Sequence, residues 1–443
     1  MKTMGKAFKV ALLGCGTVGS GVARIMLDQK DSLESRAGRR VELTRIVDLF
    51  PSRSASRHDL PLNLFAGGGA DLSSAEASAQ IDAVFADPEI DLVVETIGGT
   101  SAFVLGVCER AIRSGKHLVT ANKALLAEKG ELLFSAAQEC GVELGFEAAV
   151  CGAIPVIRVV KDSFAGDEVA SLSGIMNGTS NYVLSKMQAE ELSFQEALSL
   201  AQSAGYAEAD PTLDIGGGDA GHKLALLIRL AFGRRVEYEK LAIRGIQDVS
   251  KGDIRAAKEL DCAIKLICQA QLEGGVLHAQ VSPMMVKETN VLSRVNGATN
   301  AIRFMNRYSG EHILVGKGAG SLETGSAVVA DIVFIARNEG NAPATSPNGH
   351  GELRNLDDVP FPYTIIFDTE DVPGITGLVT TAIGDEGINI DTVGHNLHGK
   401  DVAVFCVETM PCPRSSVDRA IAEMRRKRPG VFRTDPKVYP VLG

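Results

Sequence analysis

The sequence lacks the long apolar segments that a membrane-spanning helix requires, because no apolar run approaches roughly 18 residues. It is nevertheless rich in core-forming residues, with 45% hydrophobic against 23% charged residues. This composition excludes intrinsically disordered, collagen-like and transmembrane proteins. With 443 residues, and roughly 100–200 residues per domain, we expect a globular chain of about three domains.

The sequence also has fewer basic than acidic residues. Lys and Arg total 45 residues and Asp and Glu total 55, which gives a net charge of −10. A net charge of this sign argues against sequence-independent binding to nucleic acid or to an anionic membrane, so we expect neither as a partner. The expected partners are small molecules and further copies of the chain, in a homo-oligomer that is a dimer or a tetramer.

The eight cysteines are never arranged as a metal or redox motif. The sequence has no CxxC pair and no histidine at a zinc-like spacing, so it predicts neither a disulfide framework nor a zinc site. The N-terminal stretch MKTMGKAFKVALLG lacks the apolar core and the cleavage site of a secretory signal. We therefore expect a cytoplasmic protein with reduced thiols.

The order of apolar segments predicts an α/β chain with several parts. Through residues 1–150 short apolar runs alternate with helical patterns, which predicts crossover connections and a parallel sheet. Residues 151–320 mix helices with alternating strands, as in an α+β domain, and a helix at 321–340 is expected to return to the first domain. Residues 341–360 have the composition of a linker. Residues 361–443 show a nearly ferredoxin-like order of elements.

Gly14, Gly16 and Gly19 form a GxGxxG motif between the first predicted strand and a helix over Val18–Leu27. In this setting glycines permit a tight turn and the close approach of a pyrophosphate, while the helix N-terminus offers free amides. The motif predicts a Rossmann-type dinucleotide-binding domain. A glycine turn with a purely structural role is the alternative.

Asp48 ends the second predicted strand, where a carboxylate can accept both hydroxyls of an adenosine ribose and favour NAD. It lies further from the glycines than the usual distance of about 20 residues, which a longer first helix would explain. Arg53 or Arg57 can instead receive the 2′-phosphate of NADP. A solvated turn aspartate before Pro51 is the alternative.

Lys123 directly follows the predicted strand HLVT. This places it at the carboxyl edge of the parallel sheet, where open α/β folds bind ligands. The position fits a lysine that contacts cofactor or substrate. An exposed lysine in the first turn of a helix fits the pattern equally well.

An acidic loop leads into a helix that is predicted to begin near Asp219. The loop holds Glu208, Asp210 and Asp214, and Asp219 and Lys223 share one face of the helix, which turns apolar further on. If this face borders a cofactor cleft, the lysine supplies a proton and the carboxylates bind a substrate amine. The alternative is an exposed ion pair.

Taken together, these segments resemble the homoserine dehydrogenase family, in the long bacterial type with a C-terminal ACT domain. The matching stretches are GCGTVG, TANKALLA, GFEAAVCGAIPVI, GIMNGTSNY, GYAEADPTLDIGGGDAGHKLALL and GKGAGSLETGSAVVADI, and DVPGITGLVTTAIGDEGINI matches the ACT part. The resemblance implies a catalytic and dimerisation domain after the Rossmann domain. It also implies reversible, NAD(P)-dependent interconversion of L-homoserine and L-aspartate 4-semialdehyde, in threonine, methionine and isoleucine biosynthesis.

The resemblance also implies roles for individual residues. Lys223 would donate the proton, Lys123 would contact cofactor and substrate, and Glu208, Asp214 and Asp219 would hold the substrate. The further residues expected to contact the dinucleotide are Thr17, Val18, Gly178 and Gly325. The residues expected to bind a monovalent cation, sodium, are Glu147, Val150, Gly152 and Ile154.

The C-terminal segment is expected to be regulatory, with L-threonine as the effector, or else to serve only in dimerisation. Truncation near Asp358 is then expected to leave dehydrogenase activity intact and to abolish inhibition by threonine. Many family members carry Arg-Asp where this chain has Val47-Asp48, so the preference for NAD or NADP stays open.

Two rival functions are compatible with parts of the sequence. One is a semialdehyde dehydrogenase, whose chemistry needs an activated cysteine paired with a histidine. Cys151 is the candidate cysteine, but no histidine motif accompanies it. The other is a nucleotide-sensing regulator, which would have no use for Asp219 and Lys223 on one face of a helix.

Overall fold

The structure is a computed structural model that describes residues 6–68, 74–338, 349–350, 353–354, 357, 359–369, 372–396 and 403–443. The chain divides into two compact units. The first comprises Met1–Val169, His222–Tyr238 and Leu314–His350. The second comprises Ala170–Gly221, Glu239–Ile313 and Gly351–Gly443. The linker predicted at 341–360 lies largely outside the described residues.

The first unit is built on a parallel sheet. Its strands are β1 (Phe8–Leu13), β2 (Val41–Asp48), β3 (Phe65–Gly67), β4 (Leu92–Glu95), β5 (His117–Thr120) and β6 (Leu144–Gly145). They lie in the order β3-β2-β1-β4-β5-β6, and adjacent strands pair in parallel. This is the strand order of a Rossmann fold, so the predicted dinucleotide-binding architecture is confirmed.

Helices connect these strands. They are α1 (Thr17–Asp28), α2 (Lys30–Ala37), α3 (Pro51–His58), α4 (Ala75–Ala86), α5 (Ala102–Arg113) and α6 (Lys123–Cys140), and a short helix α7 (Val156–Arg158) follows the last strand. β1 is buried along almost its whole length, as expected of a strand covered on both faces. Two helices, α1 and α2, separate β1 from β2. The wide spacing before Asp48 thus comes from a second helix, and the longer first helix expected from the sequence is wrong.

The remaining elements follow in chain order. They are β7 (Val169–Ile175), α8 (Gly178–Glu190), α9 (Phe194–Ser203), α10 (Thr212–Ile215), α11 (Gly218–Phe232), β8 (Arg234–Arg235), β9 (Ala242–Ile243), α12 (Lys251–Glu259), β10 (Cys262–Glu273), β11 (Val276–Lys287), β12 (Thr299–Asn306), β13 (Gly310–Lys317), α13 (Ser321–Asn338), β14 (Gly349–His350), β15 (Leu353–Arg354), β16 (Tyr363–Thr369), α14 (Ile375–Asp385), β17 (Ile390–Asn396), β18 (Ala403–Thr409), α15 (Arg414–Lys427) and β19 (Lys437–Leu442).

A long antiparallel hairpin of β10 and β11 forms the centre of the second unit. The two strands pair over twelve residues each, and most of their side chains are buried. β7 joins β10 on one side, and β19 joins β11 in parallel on the other. From β12 to β17 the strand order is β12-β7-β10-β11-β19-β16-β18-β17.

The last part of the second unit, residues 363–442, has the element order β16-α14-β17-β18-α15-β19. Its strands lie in the order β19-β16-β18-β17 and pair antiparallel. The two helices contribute to a separate apolar core that includes Phe367, Val379, Phe405 and Val417. This βαββαβ order is that of ferredoxin-like folds. Because β19 also pairs with β11, this part shares one continuous sheet with the β10–β11 hairpin.

Helix α13 belongs to the first unit although it follows the β12–β13 strands in sequence. Val328 and Ile332 of α13 lie in the same apolar cluster as Val22 and Met26 of α1. The structure thus contains a helix over Ser321–Asn338 that packs on helix α1 of the dinucleotide-binding unit. Among the described residues, no helix combines the length and the hydropathy needed to cross a membrane.

Candidate active site

The glycine motif forms the turn between β1 and α1. Gly14 has a φ of +91°, and a Cβ at this position would lie 2.9 Å from the carbonyl oxygen of Thr96. A Cβ at Gly19 would overlap the carbonyl oxygen of Gly14. A Cβ at Gly16, by contrast, would meet no atom within 4 Å. Two glycines thus serve close packing, and Gly16 leaves its backbone open to the approach of a ligand.

Helix α1 begins with Thr17 and Val18, directly after this turn. Gly16 is the N-cap residue and has no side chain that caps the first backbone N–H groups. Unpaired N–H groups and the positive end of the helix dipole favour an anion at such a terminus. The residues predicted to contact the dinucleotide therefore fit a pyrophosphate group.

A cavity of about 380 Å³ opens beside the glycine turn. It is lined by Gly14–Thr17, by Asp48–Phe50 at the end of β2, by α3 and by Thr96–Ile97. The structure thereby brings together the glycines and Asp48, as the sequence predicts. It adds His58 and Ser54 of α3, which the sequence analysis did not single out.

The Asp48 carboxylate accepts three hydrogen bonds from the protein. Oδ2 accepts from the backbone N–H of Cys15 at 2.8 Å, and Oδ1 accepts from the N–H of Phe50 at 2.9 Å and from the hydroxyl of Ser54 at 2.8 Å. Oδ1 therefore has both lone pairs in use, and Oδ2 can accept one further donor, such as a ribose hydroxyl. The turn role and the ribose-binding role considered for this residue are compatible.

Gly325 lies where α13 crosses α1. A Cβ at Gly325 would stand 2.8 Å from the carbonyl carbon of Gly21. The contact explains why a glycine is needed there, because a side chain would push the two helices apart. Gly325 is buried in this packing, and its predicted contact with the dinucleotide stays a prediction.

Lys123 is the first residue of α6 and lies at the carboxyl edge of the parallel sheet. The edge is fixed by Glu95, a fully buried carboxylate that the sequence analysis missed. It accepts the hydroxyl proton of Thr120 at 2.5 Å and the backbone N–H of Ile97 at 2.7 Å. The Thr120 oxygen in turn accepts the N–H of Asn122, the N-cap of α6. This chain of hydrogen bonds sets the start of the helix that carries Lys123.

Lys223 is buried on α11, with 7% of its surface exposed. In the first unit, α11 is tied to α6 by two contacts. Arg229 donates to Glu131 at 2.7 Å, and His222 Nε2 lies 3.4 Å from Glu128 while its ring stacks on Tyr238. Burial of Lys223 excludes the exposed ion pair considered from the sequence.

Asn177 connects two of the predicted substrate-binding carboxylates in the second unit. Its Nδ2 donates to Asp214 Oδ1 at 2.7 Å and to Asp219 Oδ2 at 2.8 Å. Its Oδ1 accepts the N–H of Ser180 and so caps α8, which begins at Gly178. In the sequence this asparagine is apparent only as part of the segment GIMNGTSNY. Its signal was that of an N-cap residue, which says nothing about distant carboxylates.

Glu208 lies on the loop between α9 and α10 and is exposed. The loop is attached to α8, because Thr179 donates its hydroxyl proton to the carbonyl of Tyr206 at 2.6 Å and Tyr206 lies against Tyr182. Asp210 accepts hydrogen bonds from Thr212 and stabilises the turn before α10. Among the described residues, no hydrogen bond is found between the Glu208 side chain and Asn177, the residue that joins Asp214 and Asp219.

The predicted cation loop follows β6. The apolar stretch VELGFEAAV predicts a strand that runs through Val150. This prediction is wrong, because β6 ends at Gly145 and a 3₁₀ turn begins at Glu147. The Glu147 N–H donates to Asp331 of α13, and the Glu147 carboxylate accepts the N–H groups of Ile157 and Arg158, each at 2.8 Å. These contacts turn the chain away from the sheet. Burial, together with the nearby Asp331 carboxylate, raises the pKa of Glu147 to about 7.

The same loop contains an unusual backbone turn. Cys151 and Gly152 both have positive φ values, of 55° and 47°. Val150 and Gly152 are buried, and neither carbonyl accepts any hydrogen bond found among the described residues. Cys151 is fully buried, which does not favour the nucleophile of a semialdehyde dehydrogenase. No group of three or more His, Cys, Asp or Glu suited to a metal ion occurs in the described ranges.

Comparison with known proteins agrees with these features. A family model described as the NAD-binding domain of homoserine dehydrogenase matches residues 14–147, and one described as homoserine dehydrogenase matches residues 155–333. The homoserine dehydrogenase of Neisseria gonorrhoeae is 36% identical over 397 residues, 88% of each chain. That of Corynebacterium glutamicum is 34% identical over 436 residues, 96% of this chain and 94% of the relative.

A solved structure extends the likeness over almost the whole chain. The crystal structure of a homoserine dehydrogenase from Thiobacillus denitrificans has a TM-score of 0.88 and 33% identity, and covers 98% of each chain. The Rossmann fold, the glycine turn and the matched NAD-binding domain define an oxidoreductase with a nicotinamide dinucleotide domain. The chain belongs to the homoserine dehydrogenase family, as the sequence motifs indicated.

Proposed function

We propose that the chain interconverts L-homoserine and L-aspartate 4-semialdehyde, in the biosynthesis of threonine, methionine and isoleucine. The observation that carries this proposal is the bridge from Asn177 to Asp214 and Asp219. Two carboxylates held on one amide form a site suited to a substrate ammonium group. Lys223 follows Asp219 by one turn of α11 and is the proposed acid and base.

The nicotinamide, when bound, accepts or donates the hydride. In homoserine oxidation Lys223 would take the proton of the alcohol as the carbonyl forms, and in the reverse direction its ammonium would give a proton to the carbonyl oxygen. Asp219 and Asp214 would hold the substrate ammonium, and Glu208 would contribute a further negative charge. Lys123 would orient cofactor and substrate from the start of α6.

The cofactor site fits a dinucleotide, since Gly16 is open and α1 offers its N-terminus. We propose that the chain accepts both NAD and NADP and favours NADP. Arg53 and Arg57 are exposed along the cavity that contains Asp48, and an arginine recognises a phosphate through a planar fork of donors. Asp48 already accepts three hydrogen bonds, which leaves it little capacity for both ribose hydroxyls.

The loop over Glu147–Ile154 fits a hard monovalent cation such as sodium, which takes oxygen ligands. Support comes from the buried carbonyls of Val150 and Gly152, because buried polar atoms without a protein partner are often satisfied by water or an ion. Glu147 and Ile154 would complete the set through their carbonyl groups. The expected chemical role is to hold this loop in place beside α13.

We further propose that residues 363–442 are an ACT-type regulatory module that binds L-threonine. Support comes from the βαββαβ order and from the sequence resemblance of this segment. An effector inhibits only if it binds the less active state more tightly, by a coupling of about 1–3 kcal/mol. We also propose that the chain forms a homo-oligomer and is located in the cytoplasm.

A spectrophotometric assay tests the proposed activity. Purified full-length protein is mixed with L-homoserine and with NAD or NADP in parallel, and the absorbance of the reduced nicotinamide is followed. We expect reduction of both cofactors that depends on homoserine, with a higher kcat/KM for NADP. Absence of homoserine-dependent reduction with either cofactor refutes the proposal.

A further inference from the structure

A lysine that the proposed chemistry does not use lies at the centre of the second unit. Lys265 is on β10 and is fully buried. Its Nζ donates to the Val295 carbonyl at 2.7 Å, to Asn296 Oδ1 at 2.9 Å and to Asn181 Oδ1 at 3.3 Å. All three acceptors are neutral oxygens, so no carboxylate contributes to this set of hydrogen bonds.

Burying a charged amine away from water is costly unless its hydrogen bonds are well made. Burial lowers the pKa of Lys265 to about 8, so the amine is still protonated in most molecules at neutral pH. A charged lysine buried in the middle of a sheet requires hydrogen-bond acceptors in a fixed position. The turn over 295–299 supplies two of the three acceptors.

The same turn is attached to α8 along one side. Asn181 of α8 donates from Nδ2 to the carbonyls of Val295 and Thr299, at 3.0 and 3.1 Å. Ser185, one turn further along α8, accepts the N–H of Gly297 at 3.1 Å. Lys265 on the sheet and Asn181 on the helix therefore both hydrogen-bond to the turn. Asn181 also accepts a hydrogen bond from Lys265.

The turn also reaches the first residue of α8. A Cβ at Gly178 would lie only 2.9 Å from the carbonyl oxygen of Ala298, so the backbone of the helix start rests against the turn. Asn177, the residue before Gly178, bridges Asp214 and Asp219. A shift of the turn therefore moves the start of α8 and, with it, the amide that joins the two carboxylates.

We propose that Lys265 is a positioning residue for substrate binding. It fixes the turn at 295–299, and the turn fixes Gly178 and Asn177, which orient the two carboxylates. The proposal rests on the proposed function, because it takes Asp214 and Asp219 as the groups that hold the substrate ammonium. It assigns no contact between Lys265 and substrate.

The test compares Lys265→Met with wild type in the full chain. Methionine keeps a long apolar side chain but removes the three donors and the charge. We expect the KM for homoserine to rise about tenfold, because a displaced binding group weakens substrate binding, while the KM for NADP stays within about twofold. KM is the informative readout, because a lower folded fraction reduces kcat without changing KM.

Ile264→Ala is the matched control. Ile264 is the preceding residue on β10, is almost fully buried, and points to the opposite face of the sheet. It should lower stability without changing the KM for homoserine. Backbone hydrogen exchange at Ser180 gives a second readout that needs no activity, and we expect faster exchange in Lys265→Met than in Ile264→Ala.

If Lys265→Met does not fold, Asn296→Ala decides the question. Asn296 is exposed and supplies one acceptor, so its loss should be tolerated and should raise the KM for homoserine about threefold. A folded Lys265→Met, or failing that Asn296→Ala, with an unchanged KM overturns the positioning role.

Failure of the proposed function has a different signature. If Asp219→Asn raises the KM for homoserine and Lys265→Met does not, only the positioning role fails. If wild-type protein does not oxidise homoserine, the proposed function fails, and the exchange rate at Ser180 alone then decides whether Lys265 fixes the start of α8. Equal exchange in Lys265→Met and Ile264→Ala overturns that role.

Discussion

The side-chain amide of Asn177 donates a hydrogen bond of 2.8 Å to the carboxylate of Asp219. Asp219 is buried, and the second proton of the same amide group goes to Asp214. One neutral side chain thus holds two negative groups in a fixed arrangement at the start of α8. A cationic substrate group provides the positive charge that this arrangement is suited to receive.

Asn177→Ala should raise the KM for homoserine by about ten- to a hundredfold and lower kcat less, because it releases two charge-assisted hydrogen bonds. The substitution also removes a helix cap, which costs about 0.5–2 kcal/mol of stability. Ser193→Ala is the matched control, since it removes the N-cap of α9 without touching a proposed site residue. Equal KM values for the two variants would contradict the proposed role of Asn177.

Lys223→Ala should lower kcat by about 10²–10⁴-fold, the usual contribution of a positioned acid or base, and should leave the dissociation constant of NADPH nearly unchanged. Lys223→Arg should not restore activity, because a guanidinium does not release its proton near neutral pH. Steady-state rates and fluorescence titration with NADPH check both points. An alanine variant that keeps more than about a tenth of wild-type kcat would exclude this lysine as the proton donor.

Arg57→Ala and Arg53→Ala should lower kcat/KM for NADP by about ten- to a hundredfold, the loss typical of a hydrogen bond to a charged group. The value for NAD should stay near that of wild type, and this second cofactor is the internal control for folding. Rates with both cofactors are measured on the same preparations. An equal loss with NAD and NADP would mean that the arginines support the cavity without reading the 2′-phosphate.

Lys265 predicts a pH dependence of stability. Burial lowers its pKa from 10.5 to about 8, so between these values the unfolded chain binds more protons than the folded chain. The free energy of unfolding should therefore rise with pH in this window, by about 3 kcal/mol at most relative to Lys265→Met. Urea unfolding of both proteins from pH 7.5 to 10 measures the difference, and a constant difference would contradict the assignment.

Removal of residues 359–443 should abolish folding of the second unit. β19 pairs with β11 through Met285 and Val441, and Leu442 lies in the same apolar cluster as Met284. Two ion pairs, Lys437–Asp253 and Lys287–Glu408, both at 2.6 Å and each with a buried carboxylate, cross the same boundary. The structure thus favours an outcome opposite to the active, threonine-insensitive fragment expected from the sequence. Circular dichroism and activity of the truncated chain check it, and an active fragment would contradict this expectation.

The dinucleotide-binding fold could be predicted because its information is local. Buried parallel strands read as apolar runs, and the glycine turn has a fixed place between β1 and α1. The extra helix α2 could not be predicted as readily, since KDSLESRA has no strong apolar stripe and only two of its residues are buried. Its presence explains the position of Asp48.

The polar contacts of the site could not be predicted, because they join residues far apart in sequence. Asn177 reaches Asp219 across 42 positions, and Glu147 meets Asp331 across 184. The sequence indicated the carboxylates of Asp214 and Asp219 as site residues. It did not indicate the Asn177 amide that donates hydrogen bonds to both of them. The integration of residues 363–442 into the β10–β11 sheet was missed for the same reason, because the pairing of β19 with β11 leaves no periodic pattern.

The central claim is that the carboxylates joined by Asn177 bind the ammonium group of homoserine during its oxidation. The most direct measurement compares L-homoserine with 4-hydroxybutanoate, which carries the same alcohol and acid but no amine. We predict that kcat/KM with NADP is about a hundredfold to a thousandfold lower for 4-hydroxybutanoate, because it lacks the ammonium group that these carboxylates are proposed to bind. In the Asp219→Asn variant, the ratio of kcat/KM for L-homoserine to kcat/KM for 4-hydroxybutanoate should be smaller than in wild type. Equal kcat/KM values for the two alcohols in wild-type protein would contradict the claim.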